Sequence, residues 1–190
     1  NDKIIEVGAL AVDKGIITGS YSQLINHGID IPSAATAVHG ITRDMCEKEG
    51  KKEIDVMCEL FLMIEKMRSV VTHNGLMFDA EFIRQILTRK NMSDMIPISV
   101  IGNVKFITQY IHIDTAALYK GIKLNSPRYF WQSFEDYARD ILDTPAKGLK
   151  YNLGACCDEL GIDRTQVVQH RALGDVELTN KLYRKLVNLE

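Results

Sequence analysis

The chain has 190 residues, of which 46% are hydrophobic and 25% charged, and this composition excludes a disordered or fibrous protein. That length makes one ordinary domain, able to bury a sizeable core without a disulfide or metal staple. Lysine and arginine number 23 against 25 acidic residues, a net charge of −2, which excludes bulk attraction as the means of holding nucleic acid.

Any nucleic-acid role therefore needs a local site. No run approaches the ~18 apolar residues of a membrane span, so no membrane role is expected. Cys46, Cys58, Cys156 and Cys157 form no CxxC pair and no Cys/His cluster. Reduced thiols in an intracellular, cytoplasmic protein are expected, and not a zinc site. The first residue is Asn1 and not Met, so an upstream segment is expected.

The N-terminal residues read as a β-hairpin. Ile4 to Val12 form one strand, Asp13-Lys14-Gly15 turns, and Ile16 to Ile25 returns with β-branched and aromatic residues. Residues 34–42 are small and read as a loop around His39-Gly40. Between Glu53 and Met67 the spacing of Val56, Leu60, Met63, Ile64 and Met67 predicts a helix. Residues 69–73 read as a short buried strand that ends at Asn74-Gly75. A helix follows from about Phe78 to Lys90, with Phe82, Ile86 and Leu87 on one face. Residues 91–111 are apolar but interrupted by Pro97 and Gly102. Residues 111–113 read as a strand ending at Asp114, with a helix starting at Thr115. Residues 121–147 read as an irregular, partly helical excursion, and 149–160 and 170–186 as the last two helices. This order predicts an α/β fold with a mixed β-sheet flanked by helices.

Two clusters can carry chemistry. Residues 72–79 run from a strand end through His73, Asn74 and Phe78 to Asp79 at a helix start. Ligands of open α/β sheets bind at the carboxyl ends of strands. A plainer reading makes Asp79 a first-turn residue that complements the helix dipole. The second cluster is His170-Arg171-Ala172-Leu173-Gly174-Asp175, opening the last helix. A carboxylate there suits magnesium, which is often held by one or two carboxylates. Histidine has the pKa to take a proton near neutrality. Read plainly, the pair is a solvated histidine and a first-turn aspartate.

These residues resemble the DEDDh exonucleases, the family of the proofreading epsilon subunit of bacterial DNA polymerase III. Asp2 to Ala9 resemble the family's second strand and Ala37 to Thr42 its "vHGIt" loop. His73-Asn74 with Phe78-Asp79 resemble the second motif. Ile113-Asp114-Thr115, Lys150 to Leu153 and Cys157 to Gly161 resemble the strand and helix before the third motif, which His170 and Asp175 match as H-x-x-x-x-D. The resemblance covers nearly the whole chain in one order, as a single exonuclease domain of residues 1–190.

It implies a ribonuclease H-like fold and 3′→5′ hydrolysis that releases nucleoside monophosphates. It also implies two divalent ions, Mg2+ or Mn2+, with Asp79 and Asp175 as two of four carboxylate ligands and His170 as general base. Val38, His39 and Phe78 would border the terminal nucleotide, with Asn74 near its sugar and phosphate. The implied substrate is a single-stranded 3′ end of DNA, with RNA as alternative and a DNA polymerase subunit as partner. A non-catalytic relative that binds nucleic-acid ends is a different class.

The sequence departs from the family in one respect. The D-x-E motif of the family's first strand is absent, because the chain begins after its expected place. Asp79-Ala80-Glu81 and Asp175-Val176-Glu177 spell D-x-E inside other motifs, but helix residues two apart face different sides. A truncated chain is the expectation, since losing a central strand would leave unpaired edges in the core.

His27 and His112 are expected to be ordinary loop and strand residues, and the methionines core filler. Residues 119–147 exceed the family's compact connection. Lys123, Arg128, Tyr129, Phe130, Trp131 and Arg139 could there shape a strand entry. The near-helical spacing of Phe130, Trp131, Phe134 and Tyr137 instead favours their packing onto the body.

Overall fold

The computed structural model describes residues 3–65, 67–88, 111–168 and 170–188. They fall into two compact units, one built on residues 3–67 and 167–177, the other on 68–86, 111–166 and 178–188.

The first unit begins with the expected hairpin, β1 (Glu6–Asp13) antiparallel to β2 (Ile16–Leu24). Lys14 and Gly15 both take positive φ, 48° and 80°. That backbone matches the twist of a tight hairpin, and glycine adopts it without a Cβ penalty. Residues 33–39, expected as loop, form α1 (Ser33–His39). Alanines at 34 and 35 favour the helix. It ends where Gly40, at φ 72°, turns its N–H back to the Thr36 carbonyl at 2.8 Å. The His-Gly pair thus marks a helix end. Next comes α2 (Arg43–Glu49), which apolar spacing alone does not disclose. Thr42 caps it by accepting the Met45 N–H. In α3 (Glu53–Ile64) the buried face is Val56, Met57, Leu60 and Phe61, and Met67 lies beyond the helix. Leu24, Ile41 and Cys46 form a buried cluster against Ile5, Ile31 and Met45, so the hairpin and the α1–α2 segment share a core.

In the second unit β3 (Ser69–Thr72) and β4 (Ile111–Asp114) pair in parallel, from Ser69 opposite Ile111 to Thr72 opposite Asp114. Antiparallel and parallel pairing are thus both present, in two two-stranded sheets among the described residues. After β3 comes α4 (Asp79–Thr88), with Ile86 buried. The expectations for residues 91–110, and for the Leu87 side chain, lie outside the described residues. Then come α5 (Thr115–Lys123), α6 (Phe134–Asp143) and α7 (Leu153–Glu159). Asn152 caps α7, which is why this helix starts later than the apolar pattern suggests. The last helix, α8 (Ala172–Leu186), has its first residues in the first unit and the rest in the second.

Leu76, Ala117, Tyr137, Ala138 and Ile141 form one core of this unit, and Tyr119, Cys156 and Leu182 another. Gly121 leaves room for the Tyr137 hydroxyl, which donates to the Ser126 carbonyl at 3.0 Å. Within the excursion, Tyr137 is buried and Phe134 half-buried, as their spacing predicts. Phe130 and Trp131 do not follow: they are 87% and 70% exposed. They precede the helix, so helical spacing does not govern where they point.

All four cysteines are free, and burial pushes the Cys156 thiol up to about 12, helped by Cys157 and Glu159. His27 and His112 are the loop and strand residues expected, bonded to the Ile4 carbonyl and the Thr72 hydroxyl. Among the described residues no helix is long and apolar enough to cross a membrane.

Candidate active site

The parallel pair β3–β4 delivers His73, Asn74, Asp114 and Thr115 to its carboxyl end. The organising group is Asp114, 3% exposed, whose carboxylate accepts four backbone N–H groups. Asn74 donates to it at 2.9 Å and Leu76 at 3.2 Å, while Ala116 and Ala117 donate at 2.9 and 3.3 Å. One side chain thus caps α5 and fixes the turn between β3 and α4. Asn74 takes φ 58° in that turn, a left-handed conformation that asparagine tolerates. His73 is held just before it. Its Nε2 lies 3.0 Å from the Tyr151 carbonyl, which can only accept, so that nitrogen bears a proton. Its Nδ1 lies 2.9 Å from the Thr115 hydroxyl.

The turn aims Phe78 and Asp79 outward at the start of α4. Phe78 is exposed and packs edge-on against Phe82, with centroids 5.0 Å apart. Asp79 is reached by solvent yet desolvated, as a carboxylate open on one side can be. Desolvation raises its pKa above the ordinary aspartate value, and the neighbouring charge of Asp114 adds to the rise. Gly75 sits beneath it: a Cβ there would lie 2.8 Å from Asp79 Oδ2. Beside the turn opens a recess of about 490 Å³, walled by His73 and Asn74 and by Lys150, Tyr151 and Asn152.

In the first unit the third-motif residues sit at the start of α8. The His170 N–H donates to Asp175 Oδ1 at 3.2 Å, which brings the two together. His170 takes φ 59° and is exposed. Glu6 of β1, 6% exposed in its side chain, holds this corner. Its carboxylate accepts Arg171 Nη2 at 2.7 Å, Arg171 Nε at 3.0 Å and the Ala172 N–H at 2.7 Å. Gly8 permits the approach, for a Cβ there would lie 2.5 Å from the Ala172 carbonyl carbon. Val38, 59% exposed, and His39 stand at the end of α1. His39 Nδ1 accepts the Ile41 N–H at 3.0 Å, which leaves Nε2 to carry the proton of the neutral ring.

The structure therefore places Asn74, Phe78 and Asp79 in one strand–turn–helix, His170 with Asp175, and Val38 with His39. Sequence reasoning missed the anchoring roles of Asp114 and Glu6. Asp114 had a signal, an aspartate at a strand end before Thr-Ala-Ala; Glu6, 165 residues from Arg171, had none. As metal donors, Asp79 and Asp175 offer the hard carboxylate oxygens that magnesium and manganese take. They fit in kind but not in number. Among the described residues no group of three or more His, Cys, Asp or Glu side chains is placed to hold an ion.

Comparison with known proteins agrees with this α/β arrangement. Residues 1–183 match the family model RNase_T, described as Exonuclease, and the chain belongs to that family. Among its relatives is the DNA polymerase III subunit epsilon of Aquifex aeolicus, 27% identical over 186 residues, 97% of this chain and 72% of the relative. Another is the PolC-type DNA polymerase III of Clostridium perfringens, 28% identical over 184 residues, 94% of this chain but only 12% of the relative. Exonuclease X, solved in complex with 5′ overhanging duplex DNA, shares the fold at a TM-score of 0.57 and 22% identity, over 98% of this chain and 84% of that one. The fold is thus ribonuclease H-like, as the sequence resemblance implied.

Proposed function

We propose that residues 1–190 belong to one exonuclease domain which, completed by the first-strand D-x-E pair, removes nucleoside monophosphates from the 3′ end of single-stranded DNA in a divalent-metal-dependent reaction. The observation that carries this reading is the placing of Asp79. A carboxylate disfavoured as an anion stands open to solvent beyond the carboxyl end of a parallel strand, where a cation would relieve it. When bound, Mg2+ or Mn2+ would supply charge stabilisation at the phosphate, with Asp79 and Asp175 among its ligands.

The chain's own residues do the remaining work. His170 takes one proton of the attacking water as its oxygen bonds to phosphorus; the bond to the preceding 3′-oxygen breaks, and that oxygen takes a proton from solvent to leave as the new 3′-hydroxyl. Phe78, Val38 and His39 border the terminal nucleotide, and Asn74 lies by its sugar and phosphate. Contacts of that kind read little sequence. The names of the relatives, DNA polymerase III subunit epsilon and PolC-type, support a proofreading setting inside the cell with a polymerase as partner.

The test is release of a 3′-terminal label from single-stranded DNA and RNA, with magnesium, manganese or EDTA. Release that needs metal, prefers DNA and vanishes in Asp175→Asn and His170→Ala is expected. Faster release from RNA would change the substrate to RNA. Near-normal rates in either variant would overturn the site assignment. No release from folded protein would leave a truncated chain or an end-binding relative, and adding back the first strand with its D-x-E pair would decide between them.

A further inference from the structure

Between α5 and α6 the chain exposes three consecutive aromatic residues. Tyr129, Phe130 and Trp131 are 58%, 87% and 70% exposed. They are not loose. Tyr129 and Trp131 stack with centroids 4.9 Å apart and ring planes 4° from parallel, and Phe130 meets Trp131 edge-on at 4.8 Å. The loop beneath them is tied at both ends. The Arg128 guanidinium lies 4.2 Å from the Phe134 ring centroid and donates to the carbonyls of Tyr129 and Gln132. Ser133 caps α6, and Gln132 Nε2 donates to Asp140 at 2.7 Å. Such preorganisation lowers the entropy cost of binding.

The charge beside this patch decides what fits it. Residues 124–144 hold two cations, Arg128 and Arg139, against Glu135, Asp136, Asp140 and Asp143. Arg139 is paired with Glu135 at 2.8 Å, and Arg128 is committed to the loop's own carbonyls. Asp136 and Asp140 bond to the neutral groups of Ser133 and Gln132, so their charge is uncompensated by those partners. An acidic rim repels phosphate, which argues against a nucleic-acid strand on these rings. It argues equally against a second copy, because a two-fold contact would set the same carboxylates against each other.

We propose that the 129–131 loop and the adjoining face of α6 form a docking surface for a basic polypeptide segment with apolar side chains. The aromatic residues are its anchors, and Asp136 and Asp140 select for lysine or arginine at the rim. Tyrosine and tryptophan dominate the centres of such interfaces, and each aromatic side chain can bury roughly 150–250 Å². At their exposures of 58%, 87% and 70% the three together offer roughly 300–550 Å², a large part of the ~800 Å² per partner of a standard interface. This inference does not rest on the exonuclease reading.

Trp131 is the chain's single tryptophan, so its emission reports directly on the patch. The probes are a synthetic amphipathic Lys/Leu peptide, its Glu/Leu counterpart and an oligo-dT strand. The expected result is a saturable blue shift with the Lys/Leu peptide alone, weakened by added salt. Phe130→Ala, and the double variant Asp136→Asn with Asp140→Asn, should each weaken binding about tenfold. Their circular dichroism should be unchanged, since Phe130 is not part of the core and asparagine keeps an acceptor oxygen for Ser133 and for Gln132. A shift with oligo-dT, equal binding of the acidic peptide, no shift with the basic one, or full affinity in the variants would each overturn the proposal.

Discussion

Asp114 and Asn74 are joined by a 2.9 Å hydrogen bond from the Asn74 backbone N–H to Asp114 Oδ1, across the carboxyl ends of two parallel strands. The same carboxylate caps α5, so one buried side chain sets both a helix start and the turn that presents Phe78 and Asp79. Asp114→Ala would strand four backbone donors. A loss of about 2–4 kcal/mol is expected in urea unfolding, from the missing cap and the unsatisfied N–H groups. Asp114→Asn should also destabilise, because it keeps only one acceptor oxygen and its NH₂, a donor, cannot accept the N–H that the other oxygen holds. Stability within error of the parent in both variants would refute this role.

Glu6 does for α8 what Asp114 does for α5, from the other end of the sequence. It holds the Arg171 guanidinium and the Ala172 N–H together. Removing it leaves an arginine that is 30% exposed and can be partly rehydrated, so the cost stays moderate. Glu6→Ala should cost about 2–3 kcal/mol, and Glu6→Gln, which keeps an acceptor for Ala172, about half of that. Turnover should fall in both, because α8 presents Asp175. Normal turnover with lowered stability would confine Glu6 to the fold.

The local elements were legible where a short-range pattern sets them. The hairpin followed from β-branched and aromatic residues around an Asp13-Lys14-Gly15 turn, α3 from apolar spacing, and the start of α5 from a strand ending at Asp114. The errors have local causes too. Residues 33–39 looked like loop because the small residues that favour a helix there bury none of their side chains, leaving no apolar stripe to read. Phe130 and Trp131 were assigned to a helix face by spacing, but the helix begins only after the Ser133 cap. Of the candidate site, motif order located Asp79, His170 and Asp175. Their supports, Glu6 and Asp114, act through contacts 165 and 40 residues apart, and a linear pattern carries no sign of those.

Gly75 is a close-packed position under the candidate carboxylate. An added Cβ would meet Thr72 Cβ and Oγ1 at 2.5 Å as well as Asp79 Oδ2 at 2.8 Å. Gly75→Ala should therefore destabilise the protein by about 1–3 kcal/mol through overpacking. It should also move Asp79, and misplacement of a catalytic group on the ångström scale costs on the order of a hundredfold in rate. Label release at saturating substrate is the measurement. A folded Gly75→Ala protein with full turnover would mean that Asp79 is not at the reacting centre.

The second unit is expected to lose stability in mild acid through His112. Burial lowers its pKa below the ordinary histidine value; Asp114 and Glu135 oppose the shift, Arg139 adds to it, and burial wins. In the unfolded chain histidine binds its proton near pH 6.5, so below about that pH the unfolded state holds more protons than the fold. Stability linked to His112 is thus fully present above pH 6.5 and declines as pH falls toward its lowered folded value. Protonation would also oblige Nε2, now 2.8 Å from the Thr72 hydroxyl, to act as a donor. His112→Gln removes the titrating group. The stability gap between parent and variant, measured by urea midpoints at pH 7, 6 and 5, should shift in the variant's favour with each step down. A gap that stays constant over that range would show that His112 titrates alike in both states.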